Sequence, residues 1–193
     1  MEEVKVQKLQ TNNETRKTVS EIFVDACYKN LSYFSKDKEV LSKAFYKTFL
    51  LERFYGAFIN NELVGIFALT DEKERCFKII KKDFIKNFGF IKGSFGYLGM
   101  KKELEHPIKL KAKGYFIEAV AVKVEKQGHG VGKAMMKHAI ENNEYLELDV
   151  VDTNTSAIKL YEKLGFKTFK EVPEKHFKKA KGFNKRLYMF YKK

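Results

Sequence analysis

Residues 125–136 read EKQGHGVGKAMM. Three glycines alternate, at Gly128, Gly130 and Gly132; Lys133 follows, and an apolar run begins. Glycines carry no Cβ, so an anion can lie against the chain. If a helix starts here, its first backbone amides lack intrahelical partners, and the helix dipole places partial positive charge on them. Lys133 adds a full charge. The chemistry implied is the binding of a phosphate or pyrophosphate. A strand-to-helix turn by itself needs fewer than three glycines in five positions. Two familiar phosphate loops do not fit. A P-loop places Gly five positions before its Gly-Lys pair and Ser or Thr after it. Here those positions hold Gln127 and Ala134. A dinucleotide fingerprint needs a third Gly three positions after the second. Counted from Gly128 that residue is Lys133, and from Gly130 it is Met135. Asp149 lies near the place of a ribose-binding acid, which keeps a dinucleotide reading open.

Such a loop must be held between a strand and a helix. Tyr115 to Val124 is the most apolar strand of the chain, and Val131 to Asn142 has helical periodicity. Along the strand, Phe116, Glu118, Val120 and Val122 alternate with Ile117, Ala119 and Ala121, so the two sets face opposite ways. Glu118 stands out, because a carboxylate among such neighbours costs stability unless it is paired or faces a watery cleft. Tyr145 to Val151 then reads as a strand, Ser156 to Leu164 as a helix ended by Gly165, and Phe166 to Val172 and Arg186 to Tyr191 as closing strands. Upstream, Val4 to Leu9 alternates like a strand. Glu14 to Leu31 and Lys38 to Leu51 are helical, and Tyr55 to Ile59, Asn60-Asn61 and Leu63 to Leu69 form a hairpin. Within residues 71–113, Arg75 to Asn87 and Ser94 to Leu104 carry helical patterns. The element order predicts an α/β fold with helices packed on a sheet.

The bulk numbers fit this. A chain of 193 residues suits one domain, and can bury roughly 70% of its unfolded surface. Hydrophobic residues are 44% and aromatics 15%, which is globular composition. No apolar run approaches membrane-spanning length, and the charged N-terminus has no signal-peptide core, so the protein is expected in the cytoplasm with no membrane partner. Cys27 and Cys76 fit no metal or redox spacing and read as reduced core thiols. His106, His138 and His176 fit no metal spacing either, so no metal is expected. The net charge of +13 attracts anions of any kind without choosing among them. Its denser stretches are Lys109 to Lys113 and Lys175 to Arg186, and both read as solvated surface. The passage KNFGFIKG, residues 86–93, partly matches an RNA-recognition strand, but its last aromatic is missing; it reads as a coincidence of Phe-rich composition.

Gln-x-x-Gly-x-Gly directly after a strand resembles the coenzyme A pyrophosphate motif of the GNAT superfamily of N-acetyltransferases, as VAVKVEKQGHGVGKAMM shows. A second block, DTNTSAIKLYEKLGF at residues 152–166, is similar to the segment that follows in that family. The likeness is strongest from Tyr115 to Phe169. Two residues depart from the common pattern: Val124 stands where Pro is frequent, and His129 where Arg or Lys is.

The resemblance implies a GNAT-like fold of mixed α/β (α+β) class in one domain, residues 1–193. A central, mostly antiparallel sheet of about seven strands is flanked by helices, and residues 71–113 form a helical insertion before the cofactor strand. It implies acetyl-CoA as co-substrate. Val120, Ala121 and Val122 match the strand that pairs with the pantetheine arm. Gln127, Gly128, His129, Gly130, Val131, Gly132 and Lys133 match the pyrophosphate loop. Asn154 matches a cofactor-contacting side chain, and Tyr161 the general acid that protonates the leaving thiolate. On a helix, Asn154 and Tyr161 are two turns apart and share a face; Ala157, Ile158, Leu160 and Leu164 form an apolar stripe that also suits a core Tyr161. Glu118 is the candidate base, a role some relatives give to a Glu on this strand; an ion pair is the alternative. The expected acceptor is a primary amine of a small molecule. A protein or peptide amine is the second reading, and a non-catalytic CoA-binding or nucleic-acid-binding domain the third. Nucleic acid is not the expected partner, and a homodimer is left open.

Overall fold

A computed structural model of the chain describes residues 3–174 and 182–193. His176, and residues 175–181 of the second basic stretch, lie outside the described residues. The elements run β1 (Lys5–Lys8), α1 (Asn13–Leu31), α2 (Lys38–Phe45), β2 (Phe54–Ile59), β3 (Glu62–Thr70), α3 (Lys81–Phe88), α4 (Phe90–Leu104), β4 (Tyr115–Val122), α5 (Val131–Glu141), β5 (Tyr145–Val151), α6 (Thr155–Lys163), β6 (Lys167–Pro173) and β7 (Lys185–Lys192). The seven strands form one sheet in the order β1-β2-β3-β4-β5-β7-β6. Every neighbouring pair is antiparallel except β4 and β5. This is the mixed, mostly antiparallel sheet that the family resemblance implied.

Local chemistry sets the boundaries. The Asn12 side chain accepts from the Thr15 amide at 2.8 Å and starts α1. Asp37 accepts from Glu39 at 2.7 Å and starts α2. Asn60 and Asn61 turn the β2–β3 hairpin with φ of 49° and 65°, the left-handed pair that a tight hairpin needs. Along β3 the two sides of the sheet separate. Ile66 and Ala68 enter one apolar cluster with α1, α2 and α3; Phe67 and Leu69 enter another with α5 and α6.

Three predicted elements are corrected. The helix read at Lys38 to Leu51 ends at Phe45, and a short 3₁₀ turn follows at Leu51–Arg53. The helix read at Arg75 to Asn87 begins only at Lys81. Residues 75–80 run extended because Phe77 bridges Phe49, the Leu50 amide donates to the Cys76 carbonyl at 3.0 Å, and the Lys78 amide donates to Thr48 at 2.7 Å. Cys76, Phe77 and Ile79 are all buried there, so their spacing reflects the core rather than a helix face. Helix α4 starts at Phe90, before the predicted Ser94, after a break at Gly89. The RNA-like passage at 86–93 is therefore helix, glycine, helix, and not a strand. Cys27 and Cys76 are free, and burial pushes the Cys27 thiol up to about 11 and the Cys76 thiol well above its usual range.

Candidate active site

Strand β4 is the axis of the site. It pairs with β5 at Tyr115↔Leu146, Phe116↔Glu147 and Ile117↔Leu148. From there the two strands part. β5 continues alongside β7 as far as Val151↔Arg186, whereas residues 118–122 of β4 keep only β3 as a neighbour. A wedge thus opens between β4 and β5, with one edge of β4 turned into it.

No residue type along β4 signals what shapes that edge. Glu118 faces Ala68 and Ala121 faces Ile66, so Ala119 and Val120 together oppose Phe67. This is a β-bulge, and Ala119 takes φ of 54°, a left-handed conformation uncommon for a residue with a Cβ. The bulge overturns the predicted alternation beyond it. Val120 and Val122 join Ile117 in the cluster with α5 and α6, whereas Ala119 and Ala121 join the opposite cluster. A backbone kink at this point re-aims the peptide groups beside the gap.

The glycine loop follows directly. The Gln127 side-chain amide donates to the Val122 carbonyl at 3.2 Å, tying the loop back to the end of β4. His129 Nδ1 donates to the Gln127 carbonyl at 2.9 Å. Both side chains therefore shape the loop. Gly130 is the residue before α5, with φ of 84°, and the first intrahelical bond runs from the Ala134 amide to its carbonyl at 2.9 Å. The amides of Val131, Gly132 and Lys133 precede that bond and are the open donors of the helix start. Gly128, with φ of 80°, and Gly130 have no atom within 4 Å of where a Cβ would stand. The space beside these two glycines is open, so an anion can approach the backbone there. Val131 itself is buried, so only its backbone faces the loop. Lys133 is exposed.

Asn154 starts α6, its Oδ1 accepting from the Ala157 amide and from the Ser156 hydroxyl, both at 3.2 Å. Tyr161, on the same helix, is 6% exposed and packs against Phe166 with ring centroids 5.8 Å apart. Burial, with the nearby Asp149 carboxylate, pushes its phenol up to about 12. Asp149 is the first β5 residue past the last β4 pairing.

Glu118 is buried, but it is not alone. Its Oε2 accepts from Arg75 Nε at 2.8 Å and also from Arg75 Nη2, and its Oε1 accepts from the Cys76 amide at 3.1 Å. Arg75 donates further to the His106 carbonyl at 2.7 Å. On the other side of the wedge, Arg186 of β7 holds Asp149 at 2.6 Å and Glu103 of α4 at 2.7 Å. Residues 71–113 are thus fastened to both parting strands, to β4 through Arg75 and to the β5–β7 pair through Glu103. Arg75, Glu103 and Arg186 were missed by the sequence reading, since their partners are 31 to 83 residues away. One signal was present. The chain has only four arginines among its many lysines, and Arg16, Arg53, Arg75 and Arg186 each hold a specific acceptor. Among the described residues, no group of three or more His, Cys, Asp or Glu lies together as a metal site.

Known proteins share the family and the fold of this chain. The acetyltransferase (GNAT) family matches residues 19–166. No curated protein sequence matches the chain. Among solved structures, an N-acetyltransferase from Staphylococcus aureus Mu50 superposes with a TM-score of 0.61 at 14% identity, over 97% of this chain and 100% of that one. The ribosomal-protein-S18-alanine N-acetyltransferase of Escherichia coli gives 0.55 at 15% identity, over 98% and 94%. A Bacillus subtilis acetyltransferase in complex with CoA gives 0.51 at 16% identity, over 99% of each chain. At such identities these likenesses bear on the fold, whereas the family match covers most of the chain. The chain belongs to the acetyltransferase (GNAT) family, as an acetyl-CoA-dependent N-acetyltransferase.

Proposed function

We propose that this enzyme moves the acetyl group of acetyl-CoA directly to a primary amine of a small molecule. The amine nitrogen attacks the thioester carbonyl, an oxyanion forms and collapses, and the carbon–sulfur bond breaks. The pyrophosphate lies on the open amides of Val131, Gly132 and Lys133, and the pantetheine arm runs along Val120, Ala121 and Val122 as an added strand. The bulge at Ala119 offers fixed backbone dipoles to the oxyanion. Tyr161 gives its proton to the departing thiolate.

Glu118 takes a different part from the one first expected of it. Its Oε2 accepts from Arg75 and its Oε1 from the Cys76 amide, so both oxygens are tied to residues 71–113. We assign it to positioning: it holds residues 71–113 against β4. The amine loses its proton to water or to bulk buffer.

The observation behind the small acceptor is the double fastening of residues 71–113 by Arg75 and Arg186. A helical segment pinned to both strands of the wedge walls the side from which an acceptor approaches. A panel of small amines beside N-terminal and lysine-bearing peptides, read by free-thiol release, tests this. Turnover of a small amine with the peptides inert is the expected result. Preference for peptides would replace the small molecule with a protein amine.

A further inference from the structure

Helix α4 is apolar on both sides. Its inner side packs through Gly93, Gly96, Tyr97 and Met100, and at Gly93 a Cβ would meet the Phe84 carbonyl of α3 at 2.5 Å. A helix apolar all round ordinarily has both sides covered. The outer side of α4 is bare. Ile91, Phe95 and Leu98 follow one another at i, i+4 and i+7 in a single stripe, with Phe90 at the helix start. Tyr33 joins them, because Lys92 of α4 lies over its ring at 5.5 Å. These five side chains are 61% to 77% exposed, and they are five of the seven large hydrophobics exposed among the described residues. They form a patch rather than scattered singles.

The charge around the patch narrows what covers it. Helix α4 carries three lysines, Lys92, Lys101 and Lys102, against one acidic residue, Glu103, which pairs with Arg186. Lys102 continues the stripe one turn beyond Leu98, Lys92 flanks it, and both are exposed. A second copy would bring an equally lysine-rich patch on another chain of net charge +13, and the two would repel. A nucleic acid would meet the lysines but leave Ile91 and Leu98 in water. An anionic bilayer surface satisfies both: the apolar side chains enter the acyl boundary while the ammonium groups meet headgroup phosphates. No helix among the described residues is long and apolar enough to cross a membrane, so the contact is a peripheral one.

We infer that the outer face of α4 docks the enzyme on an anionic lipid surface. One short helix of this kind binds weakly and reversibly, and more weakly as salt rises.

The test is co-sedimentation of the full chain with phosphatidylcholine vesicles, with and without phosphatidylglycerol. The wild-type protein is expected to sediment with the anionic vesicles, to stay in solution with phosphatidylcholine alone, and to be released by salt. Phe95→Ser with Leu98→Ser lowers the apparent affinity about tenfold, because the inserted side chains are gone. Lys92→Glu with Lys102→Glu lowers it to a similar degree by opposing the surface charge. Both double variants keep the wild-type melting temperature and acetyl-CoA affinity, since these side chains are exposed on α4 and none belongs to the glycine loop. Absent binding to anionic vesicles overturns the inference, as does equal binding to both vesicle types. So do variants that bind like wild type. A wild-type dimer in sedimentation velocity that Phe95→Ser with Leu98→Ser splits would assign the patch to a second copy instead.

Discussion

Tyr161→Phe is expected to lower kcat by about a hundredfold while leaving the fold and acetyl-CoA affinity nearly unchanged. The substitution removes one hydroxyl and keeps the ring that packs against Phe166. In the proposed role, phenol and thiolate meet only as the carbon–sulfur bond breaks, so the loss falls on kcat and not on binding. The pH dependence carries a second sign. The donor must be protonated, and a phenol at its ordinary value of 10.0 would begin to lose its proton near the alkaline end of an assay. Burial and Asp149 hold Tyr161 at about 12, so it imposes no descending limb at moderately alkaline pH. The same shift links to stability. The folded state binds this proton more tightly than the unfolded chain does, so its contribution is complete below pH 10.0 and drains away as pH rises toward about 12. Kinetics across alkaline pH, with melting curves of both proteins, check the prediction. Wild-type turnover in Tyr161→Phe would make the residue a core tyrosine only.

The second large effect concerns the Arg75–Glu118 pair. Their side chains are 15% and 6% exposed. Arg75→Ala leaves the Glu118 carboxylate buried against one remaining amide, and the expected loss of stability is about 3–5 kcal/mol. Arg75→Met with Glu118→Leu removes both charges and is expected to recover most of it, because uncompensated burial is the main cost. Denaturant melts of the three proteins measure this. Glu118→Gln separates positioning from base catalysis. It lowers turnover by loosening residues 71–113, but leaves the shape of the pH–rate profile as in wild type. A displaced profile would return Glu118 to the role of base.

What the sequence disclosed followed from how local each feature is. The Asn60-Asn61 hairpin, the glycine loop and the α5 start are written within a few residues, in turn chemistry and periodicity, and were legible. The bulge at Ala119 was not, because alanine carries no signature of a left-handed backbone; a pairing mismatch with Phe67 of β3 imposes it. That one residue reversed the facing of Val120 and Val122. Residues 75–80 were misread for a related reason. Cys76, Phe77 and Ile79 point into the core from an extended chain whose hydrogen-bond partners, around Thr48 and Leu50, lie in another segment. The carboxylate of Glu118 was visible as an anomaly, but its partner Arg75 is 43 residues away. Gln127 and His129 matched a motif, yet spacing could not show that their side chains brace the loop itself.

The open amides before Ala134 are expected to hold the pyrophosphate of acetyl-CoA. Thermal-shift titration with acetyl-CoA, beside NADH and ATP, tests it most directly. At about a hundred times its dissociation constant a ligand stabilises by roughly 2.7 kcal/mol, a clear rise in melting temperature. Acetyl-CoA alone is expected to give that rise in the wild-type protein. Gly130→Val is expected to give less of it, because a β-branched residue is strained at φ of 84° and its side chain would fill the open space beside the loop. An equal or larger rise with NADH, or none with acetyl-CoA, would contradict the claim.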